Sequence, residues 1–162
     1  MFFVIAAAVL LFLDLVIKYG IENIPDTEFP RDIPGTNGKI ELKKLHNPGF
    51  PFGFLKYFPE VVRTVPLIIT SGTLGVFSYL LPKKGKTAEK AGLALILAGA
   101  LSNLFDRFFR GYVVDYIHVK KKPADRIIFN LGDFFIASGA LFIMAVSVVR
   151  EIMMLLKKDG ST

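Results

Sequence analysis

The chain has 162 residues, 52% of them hydrophobic, with a mean hydropathy of +0.50 and a net charge of +6. One domain suits that length, but the composition is too apolar for an ordinary soluble domain, so the bilayer is the expected solvent. Lack of cysteine removes disulfides, thiolate metal sites and a thiol nucleophile, and the Lys and Arg residues cluster in the gaps between apolar runs, which argues for membrane flanks and against a nucleic-acid partner.

In chain order, the first apolar run, Phe2 to Ile17, predicts a helix over about 2–19. No basic residue precedes it and no small-x-small pattern follows Lys18, so a retained anchor is expected in place of a cleaved signal peptide. The stretch from Gly20 to Glu60 is rich in Pro and Gly and is not one long helix. Within it, Lys39-Ile40-Glu41-Leu42-Lys43 alternates with period two and predicts a half-buried strand on the membrane surface. Thr64 to Pro82 predicts a crossing over about 62–82, and Ala91 to Phe105 a third over about 89–107. Next, the β-branched and aromatic runs Val113 to Val119 and Arg126 to Phe129, separated by Lys120 to Asp125, predict a short hairpin. Phe134 to Val149 predicts the fourth crossing, over about 132–151. The expected fold class is an all-α membrane protein: one domain over 1–162, a four-helix transmembrane bundle, with segments 20–61 and 108–131 outside the bilayer.

A plain Lys and Arg count favours the opposite orientation from local density. Density is the better guide, because orientation bias acts in short loops near membrane ends, and Lys83, Lys84, Lys86 and Lys90 form the densest such cluster. Both termini are therefore expected to be cytoplasmic.

Parity of crossings gives a result independent of orientation. The ends of helices one and three and the starts of helices two and four share one face, and the unusual polar residues fall there: Asp14 and Lys18, Asn47 and Gly49, Asn103, Asp106 and Arg107, Asp115 and Asn130, and Asp133. Ionisable groups near hydrocarbon are costly unless paired, so their concentration at one face marks a candidate site. Asp14 and Lys18 stand at i, i+4; Asn103, Asp106 and Arg107 stand at i, i+3 and i+4. Structural clamps, Asp14–Lys18 and Asp106–Arg107, or interfacial anchors are the plainer reading of those four charges. Asp115 and Asp133 fit that reading poorly, since neither has a basic partner at helical spacing. A strand-edge charge and a helix N-cap remain the alternatives for them.

Two carboxylates held close in a low-dielectric site cannot both ionise, and the pair divides into an acid and a base. Such a pair hydrolyses amides: the ionised member deprotonates water while the protonated one polarises the scissile carbonyl. Other hydrolytic chemistries lack their parts. His46 and His118 are far apart, with no His-Glu-x-x-His helix, and read as surface or hydrogen-bonded loop residues. Ser71 and Ser138 lie in no Gly-x-Ser-x-Gly elbow, and Gly92 and Gly99 read as helix-packing positions. A small proton- or cation-coupled transporter using the same aspartates is the competing class, although the aspartates sit near one boundary and not at the midplane.

Five ordered segments carry a family resemblance: Asp14-Leu15-Val16-Ile17-Lys18, Asn47-Pro48-Gly49-Phe50-Pro51-Phe52-Gly53, Ser102-Asn103-Leu104-Phe105-Asp106-Arg107, Gly111-Tyr112-Val113-Val114-Asp115-Tyr116-Ile117 and Phe129-Asn130-Leu131-Gly132-Asp133. Together they resemble lipoprotein signal peptidase, also called signal peptidase II, over nearly the whole chain. The resemblance implies a four-helix bundle with a small extracytoplasmic β-cradle in the bacterial plasma membrane. It also implies an aspartyl endopeptidase that cleaves the signal peptide of diacylglyceryl-modified prolipoproteins before the lipidated cysteine. Asp115 and Asp133 match the catalytic aspartates; Asn103, Asp106, Arg107 and Asn130 match positions that shape the site, and Asp14, Lys18, Asn47 and Gly49 the remaining motif positions. Prolipoprotein substrates, membrane lipid and the inhibitor globomycin are the implied partners, with no metal or organic cofactor and a monomeric chain. Leu15, Pro51, Ser102 and Gly132 depart from the family pattern of Gln, a small residue, Gly and Ala, which bears on packing and substrate preference.

Overall fold

Four helices dominate the computed structural model, which describes residues 1–50, 54–120 and 127–159. They are α1 (Phe2–Glu22), α2 (Pro59–Leu80), α3 (Thr87–Phe109) and α4 (Leu131–Asp159), and each is long and apolar enough to cross a bilayer. Helix α3 is central: 56% of its most apolar window is buried inside the chain, against 17% or less for the other three. α1, α2 and α4 all pack on it, and the outer helices turn rows of Val, Ile, Leu, Met and Phe outward, as lipid-facing helices do.

Glycine sets the closeness of the α3–α4 pair. A Cβ at Gly139 would lie 2.5 Å from the Gly92 carbonyl oxygen, and one at Gly99 would overlap the Gly132 carbonyl. Small residues let two backbones approach where no side chain fits between them. The packing role expected of Gly92 and Gly99 is thus met, and Gly132 and Gly139 are their partners across the interface.

A four-stranded antiparallel sheet sits over one end of the bundle, in the order β1 (Arg31–Asp32), β2 (Ile40–Asn47), β3 (Val113–Val119) and β4 (Ile128–Phe129). The strand expected at Lys39 to Lys43 is the first half of β2 from Ile40 on, Lys39 lying just before it; the period-two signal fades after Lys43 because a bulge follows. Leu42 pairs with Ile117, but Leu45 pairs with Asp115, so one extra residue lies in β2 between these pairs. The two runs expected to form a hairpin are β3 and β4, with Ile117 opposite Phe129. Their connection, with Arg126, and the Pro51-Phe52-Gly53 end of one motif lie outside the described residues. At the end of α3, Gly111 adopts a left-handed φ of 84° and donates its N–H to the Asp106 carbonyl at 3.1 Å. That turn sends the chain into β3 and carries Asp115 back over the helix ends.

Candidate active site

The bulge in β2 decides which side chain faces Asp115. Cross-strand partners share a sheet face, so with Leu45 opposite Asp115 and Asn47 opposite Val113, Asn47 lies diagonally beside Asp115 on the same face. In continuous register His46 would occupy that position. His46 lies instead on the other face, stacked on Tyr112 at 4.1 Å between ring centres and 2.8 Å from Glu22. His118, also read as a surface or loop residue, is a buried strand residue whose Nδ1 lies 2.8 Å from Glu41.

Asp115 is buried and both its oxygens accept hydrogen bonds: Oδ2 from Asn47 Nδ2 at 3.0 Å and Oδ1 from Asn130 Nδ2 at 2.7 Å. Asn47 is itself aimed, because its Oδ1 accepts the Gly49 N–H at 3.0 Å, leaving the amide nitrogen for the carboxylate. Burial pushes the Asp115 carboxyl up to about 6, and the Asp133 charge acts in the same direction. The two amide donors oppose that shift without reversing it.

Asp133 lies on α4 three residues after Asn130, and the two form a reciprocal capping box. The Asp133 N–H donates to Asn130 Oδ1 at 2.9 Å, and the Asn130 N–H donates to Asp133 Oδ2 at 3.2 Å. The N-cap is therefore Asn130, and Asp133 is the N3 residue. Its second oxygen, Oδ1, accepts from Asn103 Nδ2 of α3 at 2.8 Å. Asn130 thus binds one aspartate with its Nδ2 and the other through its Oδ1 and backbone N–H. Asp115 and Asp133 both line a cavity of about 330 Å³, with Asn47, Arg107, Ile128 and Ile136 among its walls.

Beneath the cavity lies a second buried group of charges. Lys18 Nζ, fully buried, lies 3.1 Å from Asp14 Oδ2 and 2.9 Å from Asp106 Oδ2, and donates to Ser102 Oγ at 3.1 Å and Asn103 Oδ1 at 2.8 Å. The last bond orients the Asn103 amide so that its nitrogen faces Asp133. The expected Asp14–Lys18 clamp is present and wider than its local spacing implied. An Asp106–Arg107 clamp is not: neighbours in a helix point about 100° apart, and Asp106 pairs instead with Lys18 and with Arg110 at 2.7 Å. Asp106 Oδ2 also accepts the Val114 N–H at 3.2 Å, anchoring β3 next to Asp115. Arg107 turns into the cavity wall, donating to the carbonyls of Gly49 and Asn103 at 3.4 Å each, with its buried Nε making no hydrogen bond to any described residue.

Two residues of this network carried no role in the sequence reading. Ser102 donates to Asp14 Oδ2 at 2.6 Å; its i, i+4 spacing to Asp106 was the available signal. Tyr116 donates its hydroxyl to Asp14 Oδ1 at 3.0 Å and accepts the Leu131 N–H at 3.1 Å, tying β3 to the start of α4. Only the long-range contact shows this. Among the described residues no three of His, Cys, Asp or Glu converge as metal ligands.

The sequence matches the signal peptidase (SPase) II family over residues 6–149. The chain belongs to that family. A lipoprotein signal peptidase of Moorella thermoacetica is 33% identical over 142 residues, covering 87% of this chain and 89% of its own length. That of Allorhizobium ampelinum is 32% identical over 154 residues, covering 93% and 88%. A bacterial membrane enzyme of solved structure shares the fold, with a TM-score of 0.76 at 24% identity over 93% of this chain and 88% of that one. Family membership makes the chain a protease and, with its four apolar helices, a bacterial membrane protein. The small-transporter reading finds no support in these relationships.

Proposed function

We propose that the chain is a membrane aspartyl endopeptidase that removes signal peptides from diacylglyceryl-modified prolipoproteins, cutting immediately before the lipidated cysteine. The carrying observation is that Asp115 and Asp133, from different elements, line one cavity and are held through a common residue, Asn130. One of the pair holds the proton and donates it toward the scissile carbonyl oxygen; burial and the Asp133 charge, which push the Asp115 carboxyl up to about 6, favour Asp115 in that role. Asp133, fixed by Asn103 and the capping box, acts as the base that deprotonates the attacking water. As the tetrahedral intermediate collapses, a proton passes to the leaving amine and the aspartates exchange roles. Arg107, hydrogen-bonded to the Gly49 carbonyl, shapes the mouth of the cavity for the extended peptide.

All of 1–162 acts as one domain in this reading, with both termini cytoplasmic and the sheet and cavity at the extracytoplasmic surface. The substrate's acyl chains stay in lipid while the peptide reaches the aspartates laterally. The chain works as a monomer without a metal, and globomycin competes for the same cavity. The test uses purified protein and a lipidated prolipoprotein scored by gel shift. Asp115→Asn and Asp133→Asn are each expected to lower cleavage by about 10³-fold or more. Cleavage surviving either change ends the dyad assignment.

A further inference from the structure

On the side of α3 away from the aspartates, α1, α2 and α3 enclose two adjoining apolar grooves. The larger, about 600 Å³, is lined by Leu11 and Leu15 of α1, Leu67 of α2, and Leu101, Phe105 and Phe108 among others of α3. The second, about 380 Å³, runs along Phe12, Val16 and Tyr19 and ends at Arg110. Leu15 and Phe105 belong to both and form the ridge between them. On α3, Leu101, Leu104, Phe105 and Phe108 recur at i, i+3, i+4 and i+7, while Asn103 and Arg107 project from the opposite side. A molecule in these grooves is therefore not the peptide in the catalytic cavity.

Two arginines stand beside these grooves: Arg110 in the wall of the smaller one, and Arg63, one helical turn from Leu67 in the wall of the larger. Arg110 caps α3 and closes the smaller one. Arg63 stands one turn before Leu67 on the same face of α2, and its Nη2 comes within 4.0 Å of where a Cβ on Gly111 would sit, beside Arg110. Arg110 is neutralised by Asp106. Arg63 is half-buried and makes no hydrogen bond or ion pair to any described residue. A guanidinium at the membrane boundary without a carboxylate is an open position for an anion, and guanidinium matches phosphate geometry.

We propose that these grooves bind one anionic diacyl phospholipid of the bilayer, a tail on each side of the Leu15–Phe105 ridge and its phosphate on Arg63. The occupant follows from three features together: outer helices that face lipid, two adjoining apolar grooves, and beside them a guanidinium, Arg63, that pairs with no described carboxylate. A plain helix-end role for Arg63, against the last carbonyls of α3, predicts no choice among headgroups.

The test measures lipid retained by the full chain. Protein in mixed micelles with equal amounts of phosphatidylglycerol and phosphatidylcholine of identical tails is analysed by native mass spectrometry. One phosphatidylglycerol per chain, favoured about fivefold over phosphatidylcholine, is expected, with the preference falling to about one in Arg63→Gln. Arg63 has no hydrogen bond or ion pair to lose among the described residues, so the variant is expected to fold, and its circular dichroism checks that. Phosphatidylglycerol with a photoactivatable tail is expected to label peptides of α1, α2 and α3. Equal retention of the two lipids, an unchanged preference in Arg63→Gln, labelling confined to α4, or a lipid-free dimer would each overturn the proposal.

Discussion

Asp115 has its proton affinity set by competing neighbours. Burial and the Asp133 charge raise it to about 6, while Asn47 and Asn130 favour the ionised form. If Asp115 supplies the proton, kcat/KM falls as pH rises through about 6. Asn47→Ala removes a donor to the carboxylate, so the remaining affinity for the proton is greater and the alkaline limb moves up by as much as about one unit. A pH profile of cleavage by both proteins checks this; a limb that stays in place or moves down contradicts it. The same shift bears on stability. A carboxyl whose folded pKa exceeds its unfolded value holds more protons when folded, so between about 4 and 6 its contribution falls as pH rises, and above 6 the cost is full. Asp115→Asn, uncharged at every pH, is expected to abolish cleavage yet raise unfolding stability at pH 7 by about 1–3 kcal/mol. Thermal unfolding at pH 7 and pH 4.5 separates the cases, since the gain is expected to vanish at the lower pH.

At the scale of elements, the helices were legible because the bilayer demands long apolar runs, and a run survives in a single sequence. Ends were less so: α4 extends to Asp159, well past the apolar stretch that ends at Val149, because Arg150 pairs with Glu89 at the start of α3 and the helix-favouring run Ile152 to Leu156 follows it. Asp115 and Asp133 stood out as charges without local partners. Their supports, Asn47, Asn103, Asn130 and Lys18, stood in the same polar cluster, but which of them holds which was not legible where the contact is long-range: Lys18 reaches Asn103 across two helices, and Asn47 faces Asp115 only through a bulge at two lysines. A bulge leaves no mark in a period-two pattern beyond interrupting it. The glycine contacts between α3 and α4 allow a sharper expectation. Gly99→Ala places a methyl against the Gly132 carbonyl, one residue from Asp133, so the helices must separate there. A loss of about 1–3 kcal/mol in stability is expected, with cleavage falling further than that loss explains because Asp133 moves with α4. Gly72→Ala on α2, where a Cβ meets nothing within 4 Å, is the control and is expected to change neither. Unfolding curves and cleavage rates for the two variants decide the matter.

Across the whole molecule, one ammonium joins parts that are remote in sequence. Lys18 of α1 contacts Asp14, Ser102, Asn103 and Asp106; through these it meets Tyr116 and Val114 of β3 and Asp133 of α4. With Arg110 on Asp106, two acids and two bases balance inside the bundle. Replacing Lys18 by Met keeps the length and apolar stem but leaves Asp14 and Asp106 with one cation between them, away from water. Removing one partner of a buried ion pair costs about 3–5 kcal/mol, a large part of the stability of a single domain. Lys18→Met is therefore expected to reduce the folded protein recovered from membranes. Adding Asp14→Asn, which deletes one stranded charge and retains hydrogen-bonding capacity, is expected to restore part of it. Cleavage stays low in the double variant, because nothing then orients the Asn103 amide toward Asp133. Recovery of the folded chain by size-exclusion chromatography, together with the gel-shift assay, tests the coupling: a double variant less abundant than Lys18→Met alone would show that charge balance is not what Lys18 supplies.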